Sequence, residues 1–276
     1  MLLGAALALV SMSAFAQAET VALCAGAEGG NYDKVMRAVG GEIERKGHTV
    51  TYQNLRGSEE ILQALEKGTC DYGPAQRNVF YMMTQTDSSF STNVRPAQFL
   101  YNEAMQGYCS KSSKYDELED IQVGDKIIID SFGSGSALTW QNIVAIEKEF
   151  GGEDDWSKAI ALQTPLADAA ADISVGEAKC AFGVSGIPAP WMMEGITNGG
   201  TVMYIYDGDI NDLEVDGESL FESLRVAATN QYKQKFDTYK IPATLFRSAK
   251  TKVSTELNTL IKRVSGAEGA KKNTIQ

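Results

Sequence analysis

Short apolar runs alternate along this chain with segments whose apolar positions recur every three or four residues. Residues 21–25 are apolar and stop at glycines, the pattern of a buried strand entering a turn. Residues 32–46 read as a helix: Val35, Met36, Val39 and Ile43 fall on one face, and Gly47 closes it. Residues 48–55 alternate like a second strand. A further helix starts at Ser58, read as its cap, with Glu59 and Glu60 in the first turn, where the helix dipole favours acid. Ile61, Leu62 and Leu65 form its apolar face before Gly68, and residues 71–75 make a third strand. Residues 78–83 continue as helix, and the polar stretch 85–93 reads as an exposed loop. Strands alternating with helices in this way imply a parallel sheet.

The same order then repeats. After a crossing strand at 98–110, residues 126–130 predict a strand, 137–150 a helix ended by Gly151-Gly152, 160–163 a short strand, 168–175 a helix and 180–184 a closing strand. In each half a glycine loop precedes a Cys-x-aromatic-Gly strand. Gly26-Ala27-Glu28-Gly29-Gly30 comes before Cys70-Asp71-Tyr72-Gly73, and Gly133-Ser134-Gly135-Ser136 before Cys180-Ala181-Phe182-Gly183. The pattern predicts an α/β protein of two lobes, each a mostly parallel sheet flanked by helices. Residues 19–104 and 206–276 form the first lobe and 105–205 the second, joined by two crossover strands that act as a hinge. Residues 202–206 are expected to return the chain to the first lobe, which mostly helical segments up to Val264 complete. The small, polar tail from Ser265 is expected to fray. A cleft between two lobes is where small molecules bind.

The first eighteen residues stand apart. An uncharged apolar run over 2–15 ends in Ala16-Gln17-Ala18, a small-x-small cleavage site, which reads as a secretory signal peptide and implies export to the periplasm. The run carries no Lys or Arg ahead of it, a departure from the usual leader. The remaining 258 or so residues are globular in composition, with 43% hydrophobic and 22% charged residues over the whole chain. A net charge of −11 argues against nucleic-acid binding, which needs a basic footprint. Four cysteines in an exported chain suggest disulfides. Cys109 and Cys180 are the favoured pair, whereas Cys24 and Cys70 read as buried strand cysteines. With no C-x-x-C and one histidine, neither a zinc site nor another cofactor is indicated.

The glycine loops are the first candidate chemistry. Each lies between a strand end and a helix start, where unpaired N–H groups and the dipole favour an anion. Gly30 lets the backbone approach a ligand, and Ser58, Ser134 and Ser136 add hydroxyls. Arg56 and Arg77 follow the second and third strands, at the carboxyl ends where open α/β sheets bind ligands, and either could hold a carboxylate bidentately. A rim arginine paired to a nearby glutamate is the competing reading. Trp191 is placed either along the cleft or in the core. Catalysis is poorly supported: His48 sits at a strand start, and Gly183-Val184-Ser185-Gly186 lacks the spacing of a nucleophile elbow. The glycine loops match neither a P-loop nor a dinucleotide fingerprint. The other carboxylates read as solvated.

Several motifs resemble the TAXI solute receptors of TRAP transporters. They are Gly29-Gly30-Asn31-Tyr32, Gly57-Ser58-Glu59-Glu60, the strand Asp71-Tyr72-Gly73-Pro74-Ala75-Gln76, and the loop Gly133-Ser134-Gly135-Ser136. The most specific is Ala181-Phe182-Gly183-Val184-Ser185-Gly186-Ile187-Pro188-Ala189-Pro190. The resemblance implies a type II, two-lobed periplasmic binding protein that delivers a small ligand to a membrane permease. It implies ligand contacts at Tyr32, Gly57, Ser58, Gln76, Ser134, Gly135 and Ser136, and draws Ser185 into the candidate set. The chain departs from the family pattern at Leu55-Arg56 and at Arg77-Asn78, and is shorter after Ile241-Pro242.

The resulting expectation is a monomeric receptor for a small anionic or zwitterionic ligand, such as glutamate, a dicarboxylate or a keto acid, serving a TRAP permease. The alternatives are a receptor for an ABC importer, a periplasmic ligand sensor on the same fold, or an enzyme, for which no nucleophile–base pair is evident.

Overall fold

The computed structural model describes residues 18–151, 154–215, 218–230 and 232–272. The expected leader lies outside these residues except for Ala18.

The first half follows the predicted order. β1 (Thr20–Ala25), α1 (Asn31–Arg45), β2 (Thr49–Asn54), α2 (Ser58–Lys67), β3 (Tyr72–Gln76) and α3 (Arg77–Thr86) form a parallel β2-β1-β3 unit. Val35, Met36, Val39 and Ile43 of α1 are all buried against the sheet. Burial of each such side chain is worth about 1.5–3 kcal/mol relative to exposure. Gly68 ends α2 in the left-handed region at φ 77°, which glycine adopts without a Cβ clash. The stretch expected to be a loop carries a short helix, α4 (Phe90–Asn93), because Phe90 is buried beneath it.

β4 (Val94–Cys109) is sixteen residues long. The second half then repeats the βαβ pattern with β5 (Lys126–Ile128), α5 (Gly135–Ile146), β6 (Ile160–Leu162), α6 (Ala169–Ser174) and β7 (Cys180–Ser185), followed by α7 (Pro190–Thr197) and β8 (Thr201–Val202). β5, β6 and β7 are parallel. The chain continues through a two-residue ladder, β9 (Glu214–Val215) with β10 (Glu218–Ser219), then β11 (Glu222–Val226), β12 (Phe236–Ser248) and α8 (Thr255–Ala270).

One sheet joins the halves in the order β2-β1-β3-β12-β4-β7-β5-β6, with β11 also on β12 and β8 on β4. Two antiparallel strands at the centre thus pass between the parallel units. The result is a mixed α/β architecture of two lobes, each a parallel unit flanked by helices.

Three expectations need correction. The return to the first lobe is made by β12, not by 202–206. Met203, Ile205, Ile210, Phe221 and Tyr239 pack with the second half, whereas Ala243, Leu245, Leu257 and Ile261 pack with the first. The returning segment is mostly strand rather than helix. Pro242 weakens its strand signal, but Ile241 and Pro242 fall between the β11 ladder, which ends at Lys240, and the β3 ladder, which starts at Ala243. Among the described residues no partner strand lies on that edge there. The tail is not frayed at Ser265 either. α8 runs to Ala270, with Ser265 buried and Gly269 so close to the Leu100 carbonyl that a Cβ would collide with it.

The structure bonds Cys109 to Cys180 across β4 and β7, and also Cys24 of β1 to Cys70, two residues before β3. The second bridge corrects the reading of Cys24 and Cys70 as unpaired core residues.

Candidate functional site

The loops at the carboxyl ends of the two parallel units meet in a closed seam. A Cβ on Gly57, just before α2, would stand 3.3 Å from Ser134 Cα and 3.5 Å from the Gly135 nitrogen, just before α5. One on Gly186, after β7, would stand 3.5 Å from Asn31 Nδ2 at the start of α1. Gly135 has no room for a side chain at all, because Gln76 occupies the space in front of it. These glycines are therefore points where one lobe's backbone lies directly against the other lobe.

A chain of buried polar side chains runs through the seam. Asn78 Nδ2 donates to Thr139 Oγ1 at 2.8 Å, and Thr139 Oγ1 donates to Gln76 Oε1 at 3.2 Å. Gln76 Nε2 donates to Glu103 Oε2 at 3.1 Å, and the Tyr32 hydroxyl donates to the same oxygen at 3.2 Å. Thr139 belongs to α5 and the other four residues to the β1–β4 segment, so the network ties the two lobes together. Ser58 accepts from the Gln76 backbone N–H at 3.1 Å, which orients β3 beside α2.

Glu103 is the centre of this network. It lies on β4 and is 5% exposed. Both of those hydrogen bonds fall on Oε2, and no Lys, Arg or His among the described residues forms an ion pair with this carboxylate. Burial pushes its carboxyl up to about 7, against the opposing pull of the Gln76 and Tyr32 hydrogen bonds. Burial and the neighbouring Glu103 charge together raise the Tyr32 and Tyr101 phenols well above their ordinary value. The Tyr101 hydroxyl is buried without a hydrogen-bond partner among the described residues. A buried hydroxyl without a partner is uncommon and calls for an explanation, such as a bound water or ligand.

Most residues singled out in the sequence lie in or beside this seam. Tyr32, Gly57, Ser58, Gln76, Ser134, Gly135 and Ser136 converge there. Ser134 caps α5, accepting from Ala137 N–H at 3.1 Å, and Ser136 accepts from Val184 N–H at 2.9 Å. Ser185 accepts from Gln106 Nε2 at 3.0 Å. Each of these hydroxyls still has its own proton to donate. Ser58 is the first residue of α2 rather than its cap; Gly57 holds the capping position. Gly30 caps α1 and is exposed at the rim. Trp191 sits on α7, packed against the second half's core near Gly183 and Ser136.

The two arginines do not join the cluster. Arg56 is exposed, in the turn before α2, and paired with Glu60 in the first turn of that helix, the competing reading raised by the sequence. Arg77 starts α3 and lines a separate surface cavity of about 850 Å³ with Phe80, Tyr81, Asn102 and Pro242. Asn102 and Glu103 are consecutive on β4, so their side chains leave opposite faces of the sheet. His48 lies at the amino-terminal edge of β2, the far end of the parallel strands, where it accepts from Glu19 N–H.

Sequence reasoning missed Glu103, Asn78 and Thr139. Glu103 did leave a signal: it interrupts the otherwise uncharged alternation Tyr101, Glu103, Met105 along a buried strand. Asn78 and Thr139 are single polar residues in apolar helical surroundings and leave none.

Comparison with known proteins fits this geometry. The chain belongs to the NMT1-like family, whose model matches residues 23–264. No curated protein sequence matches it. Among solved structures it is similar to an ancestral arginine-binding protein bound to arginine, with TM-score 0.55, 11% identity, and coverage of 91% of this chain and 95% of that one. It is similar to the substrate-binding protein of an amino acid ABC transporter, with TM-score 0.52, 11% identity, and coverage of 91% and 96%. It is also similar to a TRAP periplasmic solute-binding protein from Sulfitobacter sp. NAS-14.1 with bound β-D-galacturonate, with TM-score 0.53, 13% identity, and coverage of 92% and 81%. Among the described residues no helix is long and apolar enough to cross a membrane.

Proposed function

We propose that this protein is an exported, periplasmic solute receptor that closes its two lobes over a small zwitterion, such as an amino acid, and presents it to a membrane permease. The observation that carries the reading is Glu103: a buried carboxylate at the interlobe seam whose two hydrogen bonds among the described residues both fall on Oε2 and with which no described cation pairs. An ammonium group placed there gains a charge-assisted hydrogen bond in a water-poor setting. A dianionic ligand would meet the same carboxylate as a like charge. This narrows the expectation from the sequence, because Arg56 and Arg77 lie away from Glu103. The ligand's own carboxylate would fall to the N–H groups at the starts of α2 and α5 and to the hydroxyls of Ser58, Ser134 and Ser136. Closure follows from differential affinity, since only the closed form offers both lobes' groups at once.

The TAXI-like motifs favour a TRAP permease as the partner. An ABC importer is the second reading, favoured by the equal similarity to a receptor of that type. An ATPase gene or a TRAP permease gene beside this one separates them.

A thermal-shift screen tests the ligand class. Amino acids are expected to raise the melting temperature, with about 2.7 kcal/mol of stabilisation at roughly 100 times Kd. Amine-free analogues such as glutarate or 2-oxoglutarate should not, and Glu103→Gln should abolish the response. Stabilisation by the amine-free acids alone would overturn the proposal.

A further inference from the structure

A cluster of acids with no cation partner among the described residues lies away from the seam, where the end of α5 meets the segment after β8. Glu147 opens a π-helical turn, Glu147–Gly151, directly after α5. Asp207 and Asp209 lie in the segment after β8, and Asp209 opens the 3-10 turn Asp209–Asp212. One carboxylate oxygen from each of the three lies within 4.8 Å of the others. Glu147 is 0% exposed and Asp207 is 9% exposed.

Two observations set this cluster apart from an ordinary acidic surface. Glu147 Oε1 accepts from Asp154 N–H at 3.0 Å, but Oε2 is buried with no hydrogen-bond partner among the described residues. No Lys, Arg or His among the described residues pairs with Glu147, Asp207 or Asp209. A buried, unpaired carboxylate facing two more is unfavourable unless a cation joins them. All the donors are hard oxygens, and no nitrogen or sulfur ligand stands among them, a set that suits a hard divalent cation.

We propose that Glu147, Asp207 and Asp209 bind a calcium ion. Calcium tolerates an irregular set of oxygen ligands with water filling the remainder, whereas magnesium demands a near-ideal octahedron and dehydrates reluctantly. The ion would fasten the end of α5 to the segment leading into β12. It would thereby hold in place the helix whose first turns carry Ser134, Ser136 and Thr139. The site is independent of the ligand proposal.

Terbium luminescence on chelator-treated protein tests it. The Tyr239 hydroxyl accepts from Asp207 N–H at 2.6 Å and donates to the Asp207 carbonyl, so its ring is placed to sensitise a bound lanthanide. One terbium per chain should bind and be displaced by calcium. Calcium at about ten times Kd should raise the melting temperature by roughly 3–6 °C. Asp209→Asn, at a partly exposed position, should weaken both responses by about tenfold or more, and Glu147→Gln should abolish them. If Glu147→Gln fails to fold, the Asp209→Asn comparison decides alone. Undiminished terbium binding in Asp209→Asn, no thermal shift in millimolar calcium, or a larger shift with magnesium would each overturn the assignment.

Discussion

At the scale of single residues, Glu103 makes folding depend on pH in a direction opposite to that of a salt-bridged acid. Its folded pKa of about 7 lies above the 4.5 of an ordinary glutamate. Between those values the folded protein keeps a proton that the unfolded chain has released. Stability therefore falls as pH rises through this window, and the loss is complete above it. The loss amounts to roughly 3 kcal/mol if the whole shift applies. Glu103→Gln has no such proton, and its amide oxygen still accepts from Gln76 and Tyr32. Urea unfolding of both proteins near pH 5 and pH 8 should show the variant gaining on the wild type by about 2–3 kcal/mol at the higher pH. Parallel stability profiles for the two proteins would show that Glu103 is ionised and solvated as freely in the folded state as in the unfolded. The residue also shows where sequence reading fails. Glycines and serines at strand ends announce themselves through turn chemistry, so Gly57, Ser58, Ser134 and Gly135 were legible. A lone acid on a strand does not, since its meaning depends on which strand lies across from it.

At the scale of elements, both βαβ units were readable because α1 and α2 each bury one apolar face and β1, β3 and β7 are largely buried. The elements that were misread depend on distant partners. β12 contains a proline that only the gap between two ladders accommodates, and the carboxyl end of α8 is polar and glycine-rich because it lies against Leu100. The Cys24–Cys70 bridge is of the same kind: two residues read as buried strand cysteines become a covalent tie from β1 to the turn before β3. It closes a loop with a sequence separation of 46, for which chain entropy gives about 4 kcal/mol. Cys24→Ala together with Cys70→Ala should therefore lower the unfolding free energy by roughly 3–4 kcal/mol under oxidising conditions. Under reducing conditions the variant and wild type should converge. An unchanged urea midpoint in the oxidised variant would mean that the two thiols are not bridged.

At the scale of the whole molecule, the question is what holds the lobes together before a ligand arrives. Of the two strands that cross between the lobes, β4 was visible in the sequence and β12 was not, while the parallel units at either end place their glycine loops face to face. The polar network that closes the seam was not visible, because Thr139 and Asn78 acquire their roles only when α5 and α3 meet. Thr139→Val tests that network with almost no change of shape. It removes one acceptor and one donor at once, leaving Asn78 Nδ2 and Gln76 Oε1 without their present partner in the closed form. In an opened form water can reach both groups. Each unsatisfied buried group costs about 1–3 kcal/mol, so the closed form should lose at least about tenfold in population relative to the open one. Small-angle scattering should show a larger radius of gyration for Thr139→Val than for the wild type, and Thr139→Ser, which keeps the hydroxyl, should restore it. Amide exchange should quicken in residues 76–79 and 134–139 while β1 keeps its protection, because the lobes part without unfolding. Identical scattering from all three proteins would place the closing force elsewhere, in the backbone contact of Gly57 with Ser134 and Gly135. In that case Gly57→Ala becomes the substitution that opens the molecule, since its added methyl presses directly on the opposite loop.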